Sequence, residues 1–172
     1  DFAKIERESV EFFIAEAEKR GYTEFDNTKK YNAGDKVYFN NRNKAIILCV
    51  IGKKDISEGV KISAAHIDSP RLDLKPNPLY EDSSLAYFKT HYYGGIRKYQ
   101  WLATPLALHG VVVKQSGEIV KITVGERDED PVMYITDLLP HLAAAENAKT
   151  LANAFQAEKL NILVGSRPLD GA

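Results

Sequence analysis

Seven consecutive apolar residues, Ala45-Ile46-Ile47-Leu48-Cys49-Val50-Ile51, constrain this chain more than any other stretch. Aliphatic and β-branched residues without alternation predict a strand covered on both faces, so the fold has to be layered. The run is far too short to span a membrane as a helix. Asn40-Asn41-Arg42-Asn43 just before it has the composition of a hairpin loop, which makes Lys36–Phe39 the partner strand. Upstream, the first twenty residues read as an amphipathic helix. Phe2, Ile5, Phe13 and Ala17 line one stripe, Val10, Phe12 and Ile14 widen it, and Gly21 stops it. Val60–Ile67 is expected to be a third strand, carrying His66 near its end.

The composition shifts after Pro70. Pro76, Pro78 and Glu81-Asp82-Ser83-Ser84 are expected to break regular structure. Strand-like stretches follow at Leu85–Tyr93, Leu106–Lys114 and Glu118–Val124, the last two joined by a tight turn at Gln115-Ser116-Gly117. Thr136–Phe155 is alanine-rich and reads as helical, and Lys159–Val164 is one more short strand. That last strand is apolar enough to need a sheet, and the chain stops soon after it, which points to a fragment.

Charge narrows the function classes. Lys and Arg number 23 against 24 Asp and Glu, a formal charge of -1, which argues against a general nucleic-acid binder and leaves room only for local basic patches. The single cysteine, Cys49, forms no internal disulfide and is expected to be a small buried hydrophobe. The acidic start, Asp1 to Glu8, does not suit a signal or transit peptide, so the expectation is a cytoplasmic protein with no membrane partner.

The segment Ser63-Ala64-Ala65-His66-Ile67-Asp68-Ser69-Pro70 is the most informative for chemistry. On a strand, His66 and Asp68 share a face because side chains alternate with period two. Imidazole is a metal ligand, and a nearby carboxylate fixes its tautomer. Pro70 would end the strand and leave the pair at its C-terminal rim, where sites collect in α/β sheets. The bland alternative, a structural histidine at a strand end, is common for so short a motif.

The wider segment, His66-Ile67-Asp68-Ser69-Pro70-Arg71-Leu72-Asp73-Leu74-Lys75-Pro76, resembles the His-Thr-Asp-Ser-Pro segment of the M18 family of metallo-aminopeptidases. Tyr93-Gly94-Gly95-Ile96, Leu106-Ala107-Leu108-His109-Gly110-Val111, Asp137-Leu138-Leu139-Pro140-His141-Leu142-Ala143 and Lys159–Gly165 are similar to further family segments in the same order. The resemblance covers nearly the whole chain but only about the first third of a family member. It implies the N-terminal part of an α/β sandwich metallopeptidase domain, followed by a β-rich inserted oligomerisation domain. Residues 1–72 would belong to the catalytic domain, 73–158 to the insertion, and 159–172 to a truncated return. The implied function is zinc-dependent removal of N-terminal residues from peptides by metal-activated water. A complete site would hold two Zn2+ ions, with Co2+ or Mn2+ as substitutes, and the protein would be a homo-oligomer building from dimers to a dodecamer. His66 would be a metal ligand and Asp68 the catalytic-site carboxylate that orients it. His141 is a second candidate ligand, or equally a packing histidine after Pro140. The remaining family ligands have no counterpart here, so this stretch alone is expected to be inactive.

Two departures limit the resemblance. Ala145 stands where the aspartyl type has a second histidine, and Ile96-Arg97-Lys98-Tyr99-Gln100-Trp101 replaces an acidic stretch, which weakens any preference for acidic N-terminal residues. His91 and His109 lack a carboxylate at ligand spacing and read as structural or surface residues. Gly125-Glu126-Arg127-Asp128-Glu129-Asp130 reads as a solvated loop without calcium-loop spacing. The rival reading is a non-catalytic assembly or binding module that works through its β-rich part.

Overall fold

Ala17 and Tyr22 show how the first helix is closed. The Tyr22 N–H donates to the Ala17 carbonyl at 3.1 Å and the Gly21 N–H to Glu18 at 2.9 Å, a Schellman turn. The computed structural model describes residues 3–167, so Phe2 of the predicted stripe lies outside the described residues. Helix α1 runs Glu6–Lys19, with Glu6 and Glu8 in its first turn and Lys19 in its last, each matched to the helix dipole. Its buried residues are Val10 and Ala17, two turns apart on one face, while Phe13 is largely exposed.

The chain divides into two units, Asp1–Ser69 and Pro70–Ala172. In the first, β1 (Thr23–Glu24) lies parallel to β2 (Lys36–Asn41), and β2 is antiparallel to β3 (Ala45–Val50), in the order β1-β2-β3. The hairpin register runs from Lys36↔Val50 to Asn41↔Ala45. Three residues, Arg42 to Lys44, join the strands; Arg42 and Asn43 take φ of 58° and 55°, the Lys44 N–H closes the turn on the Asn41 carbonyl at 3.0 Å, and the Asn40 side chain accepts the Asn43 N–H at 2.8 Å. Val10, Ala17, Val37 and Tyr38 are this unit's buried apolar residues, and the Tyr38 hydroxyl donates to Glu18 at 2.9 Å. Burial, more than that carboxylate, holds the Tyr38 phenol above its usual pKa.

Three expectations fail in this unit. β3 forms where predicted but is not covered on both faces: Ile47, Leu48, Val50 and Cys49 are exposed. Cys49 is therefore not the buried hydrophobe expected. An apolar strand reports the layers it is built to meet, and α1 is the helix this unit supplies. Val60–Ile67 is not a strand: it has no ladder partner among the described residues, and it is exposed up to His66, with Ile67 half-buried. Strand propensity is realised only when a neighbour takes the backbone hydrogen bonds.

The second unit centres on β4 (Arg71–Asp82), β5 (Leu85–Tyr93) and β8 (Ile162–Gly165), antiparallel in that order. Pro76 and Pro78 do not break β4. They sit in an irregularity between Leu74↔Thr90 and Leu79↔Phe88, where the ladder asks for no N–H from them. A separate hairpin pairs β6 (Leu108–Val113) with β7 (Ile119–Val124), and the Lys114 N–H closes its turn on Glu118 at 2.8 Å.

Met133–Ile135 knits the unit together. The Ile135 carbonyl accepts from Ala103 at 2.9 Å, Met133 from Leu106 at 2.8 Å and Tyr134 from Leu163 at 2.8 Å. Met133, Ile135, Leu160 and Ile162 form the buried core, with Leu72, Phe88 and Trp101 packed against it. Buried Thr90 donates its hydroxyl to the Leu160 carbonyl. The helical expectation for 136–155 survives only as two single turns, α2 (Ala144–Asn147) and α3 (Leu151–Ala154). Neither has a side-chain cap or a buried residue, so tertiary packing adds nothing to the weak propensity of so short a stretch.

Candidate functional site

His66 and Asp68 meet, though not by way of a strand. His66 Nδ1 lies 3.0 Å from the Asp68 carbonyl oxygen and 3.2 Å from its carboxylate Oδ1. Both partners are acceptors, so Nδ1 carries the proton and Nε2 is the unprotonated nitrogen of the neutral ring. The His66 side chain is 83% exposed and that of Asp68 37%, which leaves the imidazole open to an incoming ligand. Ser9 of α1 approaches the same turn of chain, its Oγ 3.4 Å from the Ile67 carbonyl.

His141 lies in the second unit on an exposed turn, where the Leu142 N–H meets Leu139 at 2.9 Å and Ala143 meets Pro140 at 3.4 Å. Among the described residues there is no group of three or more His, Cys, Asp or Glu that could hold a metal ion. The described residues therefore do not complete a metal site, and His66 with Asp68 brings a single imidazole to this turn of chain.

The other histidines have carboxylate partners that spacing did not reveal. His91 Nδ1 is 3.3 Å from Glu158, which also pairs with Lys75. The Lys75 ammonium, with His91 second, holds the Glu158 carboxyl below its usual range. His109 Nε2 is 2.8 Å from Glu126, and only 10% of the His109 side chain is exposed. Glu158 is 67 residues from His91 in sequence, beyond any local motif. For His109 a signal existed: a polar ring in an apolar strand has to find a partner.

The loop after β7 is less fluid than its acidic composition suggests. Asp130 Oδ2 accepts the N–H groups of Gly125, Glu126 and Arg127 at 2.8, 3.1 and 3.2 Å. Those bonds, led by Gly125, lower the Asp130 pKa. Arg97 lies over the Tyr99 ring at 5.0 Å and Lys98 donates to the Ala152 carbonyl at 3.3 Å, so both basic residues are engaged within the unit.

The sequence model of the family described as aminopeptidase I zinc metalloprotease (M18) matches residues 2–167. The chain belongs to the M18 family. It is 53% identical over 170 residues to the probable M18 family aminopeptidase 1 of Clostridium acetobutylicum, covering 96% of this chain and 37% of that protein. The corresponding Thermotoga maritima protein is 44% identical over 169 residues, covering 98% and 37%. The fold agrees. The Thermotoga maritima M18 aminopeptidase crystal structure superposes with a TM-score of 0.90 at 42% identity, covering 99% of this chain and 37% of that one. Clostridium acetobutylicum aminopeptidase I gives 0.83 at 48% identity, covering 99% and 38%. The M18 chain described here thus spans little more than a third of the relatives it matches, and its mixed α/β architecture is theirs. No helix among the described residues is long and apolar enough to cross a membrane.

Proposed function

We infer that this M18 chain supplies part of a zinc-dependent aminopeptidase that removes N-terminal residues from peptides. The observation that carries the reading is the His66 ring held through Nδ1 on Asp68, which presents Nε2 as a ligand nitrogen. A bound zinc ion supplies water activation and stabilisation of developing negative charge. Within this chain His66 acts as ligand, Asp68 fixes its tautomer, and His141 is a second candidate ligand. The complete site takes two Zn2+, with Co2+ or Mn2+ able to substitute, and residues 1–172 alone are inactive because one oriented histidine does not form that site.

The same reading assigns 1–72 to the catalytic domain, 73–158 to an inserted oligomerisation domain and 159–172 to the return. It makes the protein a cytoplasmic homo-oligomer, assembled from dimers up to a dodecamer. A non-catalytic assembly role is the second reading, favoured by the exposed Val112, Val113 and Ile119 at the end of the β6–β7 hairpin.

The test uses the complete protein. Asp68→Asn is expected to weaken zinc binding and peptide turnover by about 10- to 100-fold, and His66→Ala by more. Unchanged zinc content and turnover in His66→Ala would remove this histidine from the mechanism and leave the assembly reading.

A further inference from the structure

The sheet of the first unit turns one face to α1 and the other to nothing the unit supplies. Tyr38 of β2 points at the helix, where its hydroxyl meets Glu18, so Val37 and Phe39 point the opposite way. The hairpin register sets Cys49 across from Val37 and Ile47 across from Phe39 on that same face. Phe25 joins them just past the end of β1. Its N–H donates to the Tyr38 carbonyl at 2.7 Å, and with Phe39 it lines an open hollow of about 560 Å3 that Glu24, Asp26 and Lys29 also border. Val37 is buried, but Phe25, Phe39 and Ile47 stand 44%, 48% and 61% exposed, and Cys49 is exposed beside them. Phe25, Phe39 and Ile47 thus make an apolar row across all three strands, on the side away from α1.

A contiguous apolar row on a sheet face marks an interface. The unit that bears it buries Val10, Ala17, Val37 and Tyr38 as its apolar core among the described residues, which is little for a layered domain to stand on. The chain spans 37% of the relatives it matches, so most of such a protein lies outside it. We propose that a segment of the same polypeptide outside residues 1–172 lays an apolar face over the Phe25–Phe39–Ile47 row. A tethered segment is present at high effective concentration as soon as it is made, whereas a second copy would leave this unit without a finished core until subunits met. The inference rests on reading this chain as part of a longer M18 enzyme.

The experiment alkylates the complete protein with iodoacetamide and follows the Cys49 peptide by mass spectrometry, natively and in urea. Cys49 lies on the same face and serves as the reporter. Native alkylation of Cys49 is expected to run at least about tenfold slower than in urea, and to stay slow when the protein is diluted until light scattering gives the monomer mass. Equal rates in the native and unfolded protein overturn the inference. Protection that disappears in the monomer overturns it as well, because a second copy would then be the cover. Ile47→Asp puts a carboxylate into the row and is expected to speed Cys49 alkylation and lower the urea midpoint, with Ile47→Leu close to wild type. Wild-type protection and midpoint in Ile47→Asp count against the proposal, and should that variant fail to fold, the wild-type rates decide alone. An active zinc enzyme with an unprotected Cys49 sinks this inference and leaves the peptidase reading; a protected Cys49 in a protein that binds no zinc does the reverse.

Discussion

Gly125 offers a measurement of how tightly the β7 end is built. It takes φ of +98°, and a Cβ placed there would lie 2.9 Å from the Leu106 carbonyl oxygen and 3.0 Å from Ala107 Cα. Gly117 in the β6–β7 turn takes φ of +86°, but a Cβ there meets nothing within 4 Å. Alanine at either position carries the left-handed cost of about 1–2 kcal/mol. Only at Gly125 does it also press on backbone, adding about 1–3 kcal/mol because those atoms cannot rotate away. Gly117→Ala is therefore expected to cost about 1 kcal/mol and Gly125→Ala about 3. For a chain of this length that lowers Tm by about 3 °C and about 9 °C, respectively. Urea titration followed by circular dichroism, with thermal melts alongside, reads both. Equal losses in the two variants would refute the steric part of the reasoning. So would a Gly125→Ala protein as stable as the parent.

Asp130 should show its effect in acid. Its folded pKa lies below the ordinary 3.8, so its contribution is complete above that value and disappears as pH falls through the lower folded one. Thermal melts between about pH 2.5 and pH 6 should show a steeper acid loss in wild type than in Asp130→Asn, and parallel curves would contradict the three N–H bonds. Thr90→Val keeps shape and burial but strips the Leu160 carbonyl of its donor, and is expected to cost about 1–3 kcal/mol in urea titration. A neutral result would mean that this carbonyl finds another donor.

Local chemistry made much of this legible. The hairpin turn after β2, one to two residues later than the Asn40–Asn43 expected, the extents of β3 and β5, the turn at Gln115–Gly117 and the meeting of His66 with Asp68 all depend on residues a few positions apart. What failed depended on distant neighbours. Among the described residues, Val60–Ile67 has strand composition but no ladder partner, and the apolar residues of β3 lack layers to cover both faces. The alanines of 136–155 favour helix, yet caps and burial, which let short helices persist, are missing. The prolines of β4 looked like breaks because sequence does not show which N–H groups a ladder leaves unused. His91 and Glu158 were unreadable as a pair for the same reason.

The stitching by Met133–Ile135 bears on the order of events during synthesis. The β4–β5 hairpin can pair as soon as it leaves the ribosome, but its Thr90 waits 70 residues for Leu160, and Tyr134 waits for Leu163. The second unit is thus completed from its far end, after long loops have closed, and contacts this remote slow folding. Until β8 emerges, Phe88 and Leu72 have no finished interior to enter, so the nascent intermediate is the species most in need of protection from aggregation.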